Sequence, residues 1–506
     1  MRVRANLPLL VTVAVLTAGT VALAQRGLLA FAGSDDWLGF VEGQSGDLWV
    51  PLAYFAVFLA VAMELHRVAD RLGRKAWAGA LAVLTAGALA LLVATGTVTP
   101  EGPVESVPAL ALPRTNVFYH NARTRIRSID QYARQYDKHV RGAKPVAVRT
   151  HPPGPELFYF SLRSVYLAYP GLRNAALHVF ELTGRWRGRL RQEPLKSLFE
   201  RHGISPTEAE VAAATAFTLK LLACLVVVPV YLLGAGLRSR RTGLVAALFA
   251  ALLPSVHCFS PGLDQVYPFF AALLAWLALT AVKERCVIAG VLFGLLLCVS
   301  LLFSLAFVVV AGLVALVCVS ELPLARRARA EGLAVHLWWG VGAGAVVGFL
   351  VPVIVFRATW DINLFQVWVR CLRANADFNV SAGRTYGPAL LSNPIEYLVF
   401  LGVPLACLFI GSVRWGLRTF RGAPRVAAAV LCFAVLMIVL NLTGTNRGEV
   451  ARLWMFTMPF CAVAAAWWLT ERHASRLDLS LLLLVQLAQV ACFRVWLDTL
   501  RLYSPT

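Results

Sequence analysis

Long apolar runs alternate with short polar segments along nearly the whole chain. The runs are about 17 to 25 residues long, which is the length that a helix needs to cross a bilayer. We therefore predict an all-α bundle of about thirteen transmembrane helices. Their ranges are 7–24, 50–65, 77–98, 209–236, 243–258, 266–283, 286–301, 303–320, 334–356, 394–413, 425–441, 453–470 and 477–494. The alternative is that 286–320 forms one tilted helix, which would reverse the orientation of every later loop.

One long polar interval, residues 99–208, interrupts this pattern. Its Pro-rich part at 101–113 predicts an extended chain, and apolar residues three and four apart predict a helix over 115–140. Aromatic residues at 156–169, in a segment too short to span, predict a helix that lies in the membrane interface. The basic run 185–201 predicts a solvated or headgroup-facing helix.

The sequence RTHPPGPE at 149–156 is the stiffest part of that interval. Proline fixes its own φ, lacks an N–H and keeps the preceding residue out of the helical region. We therefore predict an extended segment that ends in a glycine turn. Such a segment can hold the His151 imidazole in a fixed position at a membrane surface.

Composition supports a membrane protein, since 59% of the residues are hydrophobic and the mean hydropathy is +0.69. A soluble chain is nearer to about 45–50% apolar. The net charge of +20 would suggest nucleic acid in a soluble protein, but here much of it lies in short loops between spans. The positive-inside rule accounts for that excess, so we expect no nucleic-acid partner. The ten cysteines show no CxxC pair, which argues against a zinc site or a disulfide framework.

The charges also predict the orientation. With Arg2 and Arg4 in the cytoplasm, the N-terminal run is an uncleaved signal anchor, and the interval 99–208 lies outside. That interval carries 17 Lys and Arg against 9 Asp and Glu, which is tolerable because long loops translocate largely regardless of charge. The loop 34–48 is acidic and lies outside. The predicted inside loops are nearly all basic: 66–75, 238–241, 283–285, 326–329, 414–425 and 471–476.

The polar residues of the predicted outer side form a small set, and convergence of this kind is typical of one site at a membrane face. The main candidates are Asn116, Asp130, His151, Asp264, Arg447, Glu449 and Arg452. Asp130 can act as a general base toward a hydroxyl. Asp137 follows it by two helical turns, so both can equally be solvated ion-pair partners of nearby basic residues.

The segment Arg447-Gly-Glu-Val-Ala-Arg452 enters a predicted span. Glu449 and Arg452 are three residues apart and share one helical face, either as a structural pair or as an anion site. An arginine there can grip a lipid phosphate with its planar fork. Asp35 and Asp36 form a competing acidic pair, which can hold a divalent metal or cap a helix.

This ordered set resembles the GT-C superfamily of integral-membrane glycosyltransferases, in particular bacterial family 39-like and dolichyl-phosphate-mannose-protein mannosyltransferase-like members. His151-Pro152-Pro153 is similar to their His-Pro-Pro motif, and 260–268 and 447–454 are similar to later segments. The resemblance implies a polyprenyl-phosphate sugar donor, inverting transfer on the extracytoplasmic face and an acidic base in the outer loop. One departure is Asn116, where many members have an acidic residue. Either Asp130 or the pair Asp35 and Asp36 then supplies the base, or the chain has lost the standard chemistry.

We therefore expect a glycosyltransferase of a bacterial inner membrane with an extracytoplasmic site. The sequence assigns it no cofactor and leaves a divalent metal at Asp35 and Asp36 as an option. Asp130 deprotonates the acceptor, Arg447 and Arg452 hold the donor phosphate, Glu449 orients Arg452, and His151 positions donor or acceptor. The expected divisions are an N-terminal pair of spans (1–76), a GT-C-like core (77–470) and a C-terminal span with a tail (471–506). A transporter or flippase of lipid-linked sugars, or a non-catalytic membrane assembly subunit, is the alternative.

Overall fold

A computed structural model gives the fold for residues 7–26, 39–40, 47–99, 102–143, 145–181, 195–317, 336–420 and 424–498. This part of the chain is helical, apart from an antiparallel pair of two-residue strands, Gly39–Phe40 and Leu497–Asp498. The all-α prediction is thus confirmed for the described residues. Asp35, Asp36, the basic loop 326–329 and most of the run 185–201 lie outside them.

Within the residues that the structure describes, eight helices are long and apolar enough to cross a membrane. They are Leu7–Gln25, Trp49–Val68, Arg74–Val98, Pro206–Leu237, Arg240–Cys258, Leu263–Glu284, Trp339–Trp360 and Arg476–Trp496. A ninth span results if Tyr386–Leu401 and Val403–Thr419, which meet at 113°, are counted together. The remaining apolar helices are shorter: Val287–Phe303, Phe307–Val317, Val426–Leu442 and Met458–Glu471. Membrane spanning is therefore supported, while the count of thirteen stays a prediction.

The predicted division of 286–320 is present, since one helix ends at Phe303 and the next begins at Phe307. Ser304 between them has extended backbone angles, φ −155° and ψ 137°. The long helix Pro206–Leu237 is also interrupted, because Pro206–Cys224 ends and Val227–Leu237 begins after it.

Burial separates the inner helices from the outer ones. Arg240–Cys258 is 94% buried, whereas Leu7–Gln25 and Trp339–Trp360 are only 17% buried despite their apolar sequences. An apolar helix that leaves most of its surface uncovered matches a lipid environment, because the hydrocarbon solvates those side chains. The bundle therefore has a protein-packed centre and a lipid-facing rim.

Glycines allow a close contact between the helices Val287–Phe303 and His336–Trp360. A Cβ on Gly294 would overlap the carbonyl oxygen of Ala345, and one on Gly348 would overlap that of Val291. Without a hydrophobic driving force in lipid, small residues of this kind allow backbones to approach and gain dispersion contacts.

The polar interval folds into short helices that pack at one end of the bundle. The prediction of an extended chain at 101–113 is wrong, because a 3-10 turn and a helix occupy it. The helix predicted over 115–140 is divided into three, because side-chain caps at Asn116 and Ser128 restart the chain. The elements are Gly102–Glu105, Ser106–Ala111, Val117–Thr124, Ile129–Arg134, Tyr136–Arg141, Val146–Thr150, Gly154–Ala168, Pro170–Glu181 and Leu195–Arg201.

Replacing Gly348 with leucine tests the glycine contact. We expect Gly348→Leu to lower stability by about 2–3 kcal/mol, because the new side chain must push the Val291 backbone away. The measurement is the thermal unfolding midpoint in detergent. Gly342→Leu on the same helix is the matched control, since nothing lies within 4 Å of its Cβ position. Equal midpoints for the two variants would contradict this packing.

Candidate functional site

The His-Pro-Pro-Gly segment is held against the end of the apolar helix Val287–Phe303. The helix Val146–Thr150 ends at His151, whose backbone is extended at φ −114° and ψ 145°, as predicted. Gly154 then begins the helix Gly154–Ala168. A Cβ on Gly154 would overlap the carbonyl oxygen of Leu302, so only glycine allows this approach.

The His151 ring has a defined tautomer. Its Nδ1 lies 2.9 Å from the carbonyl oxygen of Ala147, which can only accept, so Nδ1 carries the proton. In the neutral ring Nε2 is then an acceptor. Burial lowers the pKa of His151 below its ordinary value, and Arg452 acts in the same direction, while Asp264 opposes them. The imidazole is therefore neutral near pH 7, and the Phe118 ring packs edge-on against it at 5.1 Å.

Four charged residues form the second part of the site: Asp264, Arg384, Glu449 and Arg452, here called the arginine–carboxylate cluster. Glu449 accepts from Arg384 through one oxygen and from Arg452 through the other, the latter at 2.7 Å. The Nε of Arg452 lies 3.4 Å from an Asp264 oxygen. Burial raises the pKa of Glu449, but the two arginines outweigh it and hold that pKa below its ordinary value. Glu449 is therefore ionised.

Buried polar side chains hold the loop that carries Glu449. Gly448 and Glu449 have left-handed backbones, with φ of 98° and 58°. The amide of Gly448 donates to Asn393 at 3.1 Å, and the amide of Ala451 donates to Glu396 at 2.7 Å. A left-handed conformation at a non-glycine residue has an energetic cost, so these contacts are needed to maintain it.

Arg447, which the sequence predicts as a ligand of the donor phosphate, contacts other residues of the protein. Its guanidinium donates to the Arg384 carbonyl at 2.9 Å and lies over the Tyr386 ring at 5.9 Å. These contacts fasten the loop. The structure therefore places Glu449, Arg452 and Asp264 together, while Arg447 supports them from the side.

Asp264 lies in the 3-10 turn Leu263–Val266 and is a close electrostatic neighbour of both His151 and Arg452. The same turn begins near Ser260, which accepts a hydrogen bond of 2.8 Å from the ammonium group of Lys220. Lys220 is thus a mid-helix charge with a partner that anchors the Asp264 turn.

Asn116 is connected to the site by a hydrogen bond with Tyr159. Its side-chain oxygen caps the helix Val117–Thr124 by accepting from the Tyr119 amide, and its Nδ2 donates to the Tyr159 hydroxyl at 3.0 Å. Burial raises the pKa of Tyr159, and Asp264 lies near enough to add to that effect. An amide at position 116 therefore serves as a helix cap and a donor at once.

Asp130 lies apart from these residues. Its carboxylate is 61% exposed and pairs with Arg134 at 3.0 Å, one helical turn on. Its hydrogen bond with Arg134 lowers the pKa of the Asp130 carboxyl. Asp137 pairs with Arg370 at 2.7 Å. Among the described residues, no His, Cys, Asp and Glu side chains form a group of three that could hold a metal ion.

Glu156, which the sequence prediction left without a role, is a buried carboxylate at the centre of the polar interval. It accepts from Asn121 at 2.6 Å and from the Tyr132 hydroxyl, and both its oxygens lie 3.1 Å from His139 Nε2. These contacts tie three of the short helices to Gly154–Ala168. Its signal in the sequence was weak, because a single carboxylate in the first turn after Gly154 belongs to no periodic pattern.

No protein-family model matches this chain, and no curated protein matches it. The chemistry of the site therefore has to be derived from its geometry. Asp264 is a carboxylate only 19% exposed, Arg452 is a guanidinium 40% exposed, and His151 is a neutral imidazole beside both. Such an arrangement can bind an anion and accept a proton from a hydroxyl group.

Removing the carboxylate at the centre of the arginine–carboxylate cluster tests how much it contributes to stability. We expect Glu449→Gln to lower stability by about 3 kcal/mol, because two arginines, one of them only 6% exposed, lose their anionic partner. The measurement is the unfolding midpoint in detergent. Glu64→Gln, which breaks the exposed pair with Arg67, is the control and should leave the midpoint unchanged. An unchanged midpoint in Glu449→Gln would contradict the cluster.

The lowered pKa of His151 predicts a pH dependence of stability. The His151 ring binds a proton near pH 6.5 in the unfolded chain, but only at lower pH in the folded protein. The contribution of the neutral ring to the free energy of unfolding is therefore present above about pH 6.5 and is lost as the pH falls below it. We therefore expect His151→Asn to flatten the loss of stability between about pH 7 and 5.5 relative to the unchanged protein. Parallel midpoint-against-pH curves for the two proteins would refute a buried neutral ring.

Proposed function

We propose that this protein is a GT-C-like membrane glycosyltransferase. It takes a sugar from a polyprenyl-phosphate donor and passes it to a hydroxyl acceptor on the extracytoplasmic face. The observation that carries the proposal is the placement of Arg452, a part-exposed guanidinium between Glu449 and Asp264. The His-Pro-Pro motif supports it, because its histidine is an electrostatic neighbour of both Asp264 and Arg452.

Arg452 binds the donor phosphate in this proposal. Glu449 accepts from its NH2 group and so fixes the plane of the guanidinium, which leaves the fork in a defined orientation. The four charges of the cluster sum to zero, but Arg384 shares Glu449 with Arg452, so Arg452 keeps N–H groups for an incoming anion. A phosphate held in this way is a better leaving group, because its developing charge meets a preorganised donor.

Asp264 is the better placed base. It is less exposed than Asp130 and lies beside both His151 and the proposed phosphate ligand, whereas Asp130 is solvated and paired with Arg134. In the reaction, the acceptor oxygen bonds to the anomeric carbon as the bond from that carbon to the phosphate oxygen breaks. The hydroxyl proton passes to Asp264, and the phosphate leaves with the electron pair. His151 Nε2 accepts a hydrogen bond from a donor or acceptor hydroxyl.

Substitution of the two aspartates separates the candidate bases. We expect Asp264→Asn to reduce sugar transfer from a polyprenyl-phosphate donor by roughly 10³-fold or more, since the proton acceptor is lost. Asp130→Asn should retain nearly full activity. The measurement is transfer of radiolabelled sugar in proteoliposomes, with the folded state of each variant checked by its unfolding midpoint. Loss of activity in Asp130→Asn alone would return the role to Asp130.

A second candidate function, transport of a lipid-linked sugar, has its own observation. Glu105 and Arg494 form a buried ion pair inside the bundle, Lys220 is their electrostatic neighbour, and the chain bends sharply between Leu401 and Val403. Buried charges and broken helices are typical of transporters. Movement of the donor across the proteoliposome membrane without any transfer to an acceptor would favour this function. The absence of both movement and transfer would favour an assembly subunit.

A further inference from the structure

A cavity of about 430 Å³ lies among the loops that the charge pattern predicts to be cytoplasmic. Segments around 66–70, 238–245 and 469–479 meet there, although they are far apart in sequence. Its volume falls within the range of about 300–1,000 Å³ that is usual for small-molecule sites. None of its lining residues takes part in the proposed transfer.

The cavity lies at the opposite end of the bundle from the arginine–carboxylate cluster. The helix Tyr267–Glu284 begins three residues after Asp264 and runs for 18 residues, or about 27 Å. Near its other end, Lys283 donates to the carbonyl of Gly236, two residues before Arg238 in the cavity wall. The two places are therefore separated by roughly the thickness of the hydrocarbon core.

Two ion pairs shape the cavity wall. Arg238 contacts Glu471 at 2.6 Å, and Arg241 contacts Asp70 at 2.8 Å. Each pair joins segments from different helices, so the arginines are held in place before any ligand arrives. The pairs cancel in charge, but the loops that carry them, 66–75, 238–241 and 471–476, hold nine Lys and Arg against two Asp and Glu, so the surroundings of the cavity are positive.

The rest of the lining is amphipathic. Ser239, Thr470 and His473 supply polar groups, while Val245 and Leu479 supply an apolar surface. A positive, partly apolar cavity at the level of a membrane surface suits an anionic amphiphile. Arginines held by a carboxylate can still direct further N–H groups at a phosphate, because each guanidinium has five donors.

We propose that this cavity binds the phosphate-bearing headgroup of an anionic membrane lipid. The Arg238 and Arg241 guanidinium groups contact the phosphate, and Val245 and Leu479 contact the first carbons of the lipid tail. The site is independent of the proposed sugar transfer, so each can fail without the other.

The test is native mass spectrometry of the delipidated full-length protein, titrated in detergent with phosphatidylglycerol and, separately, with phosphatidylcholine. We expect one saturable phosphatidylglycerol per chain and no saturable phosphatidylcholine. The double variant Arg238→Gln/Glu471→Gln keeps the net charge but removes one wall pair. It should weaken phosphatidylglycerol binding by about tenfold, which is the effect of losing one charge-assisted contact.

The control variant is Arg414→Gln, which removes an exposed charge on the same predicted face but outside the cavity. A general surface-charge effect would weaken binding more in this variant than in the charge-neutral double variant, and that order would overturn the proposal. Saturable binding of inorganic phosphate without lipid binding would overturn it as well, by assigning the cavity to a free anion.

A second variant guards against misfolding of the first. Ala474→Leu narrows the cavity without changing any charge, and Ala474 is only part-buried, so the fold should tolerate it. We expect this variant to lose the saturable phosphatidylglycerol while its unfolding midpoint stays near that of the unchanged protein. Retained binding in Ala474→Leu would place the lipid elsewhere.

Discussion

The site depends on one carboxylate, Glu449, that is shared by Arg384 and Arg452. Burying charges at a membrane edge is costly unless each has a partner, and here one buried anion satisfies two cations. The arrangement also fixes Arg452 beside Asp264, at 3.4 Å, while leaving part of its guanidinium open. The contacts that stabilise the loop thus leave part of one guanidinium uncovered at its edge.

Much of the surrounding structure serves to keep that loop and its neighbours in place. Asn393 and Glu396 bind the amides on either side of Glu449, which maintains the left-handed turn. Lys220 anchors Ser260 at the start of the Asp264 turn. On the other side, Gly154 allows the His151 segment to contact the end of the apolar helix Val287–Phe303. Three separate parts of the sequence therefore meet through polar contacts made inside an apolar bundle.

The sequence alone was sufficient for the helical class and for most of the residues that the site brings together. Asp264, Glu449 and Arg452 could be predicted because a charge at the end of an apolar run needs a partner nearby, and His151 because the prolines after it fix its position. Asp130 could not be separated from Asp264, since its ion pair with Arg134 depends on a local helix turn that exposes it. Glu156 was missed because its burial follows from packing between short helices, which leaves no periodic pattern in the sequence.

The central claim is that Arg452 holds a lipid phosphate while Asp264 faces the sugar. The most direct measurement is a cryo-electron microscopy structure of the protein in nanodiscs with a polyprenyl-phosphate sugar bound. We predict the phosphate within hydrogen-bonding distance of the Arg452 guanidinium and the sugar between Asp264 and His151. A phosphate bound beside Asp130 and Arg134, or a sugar away from Asp264, would contradict the account.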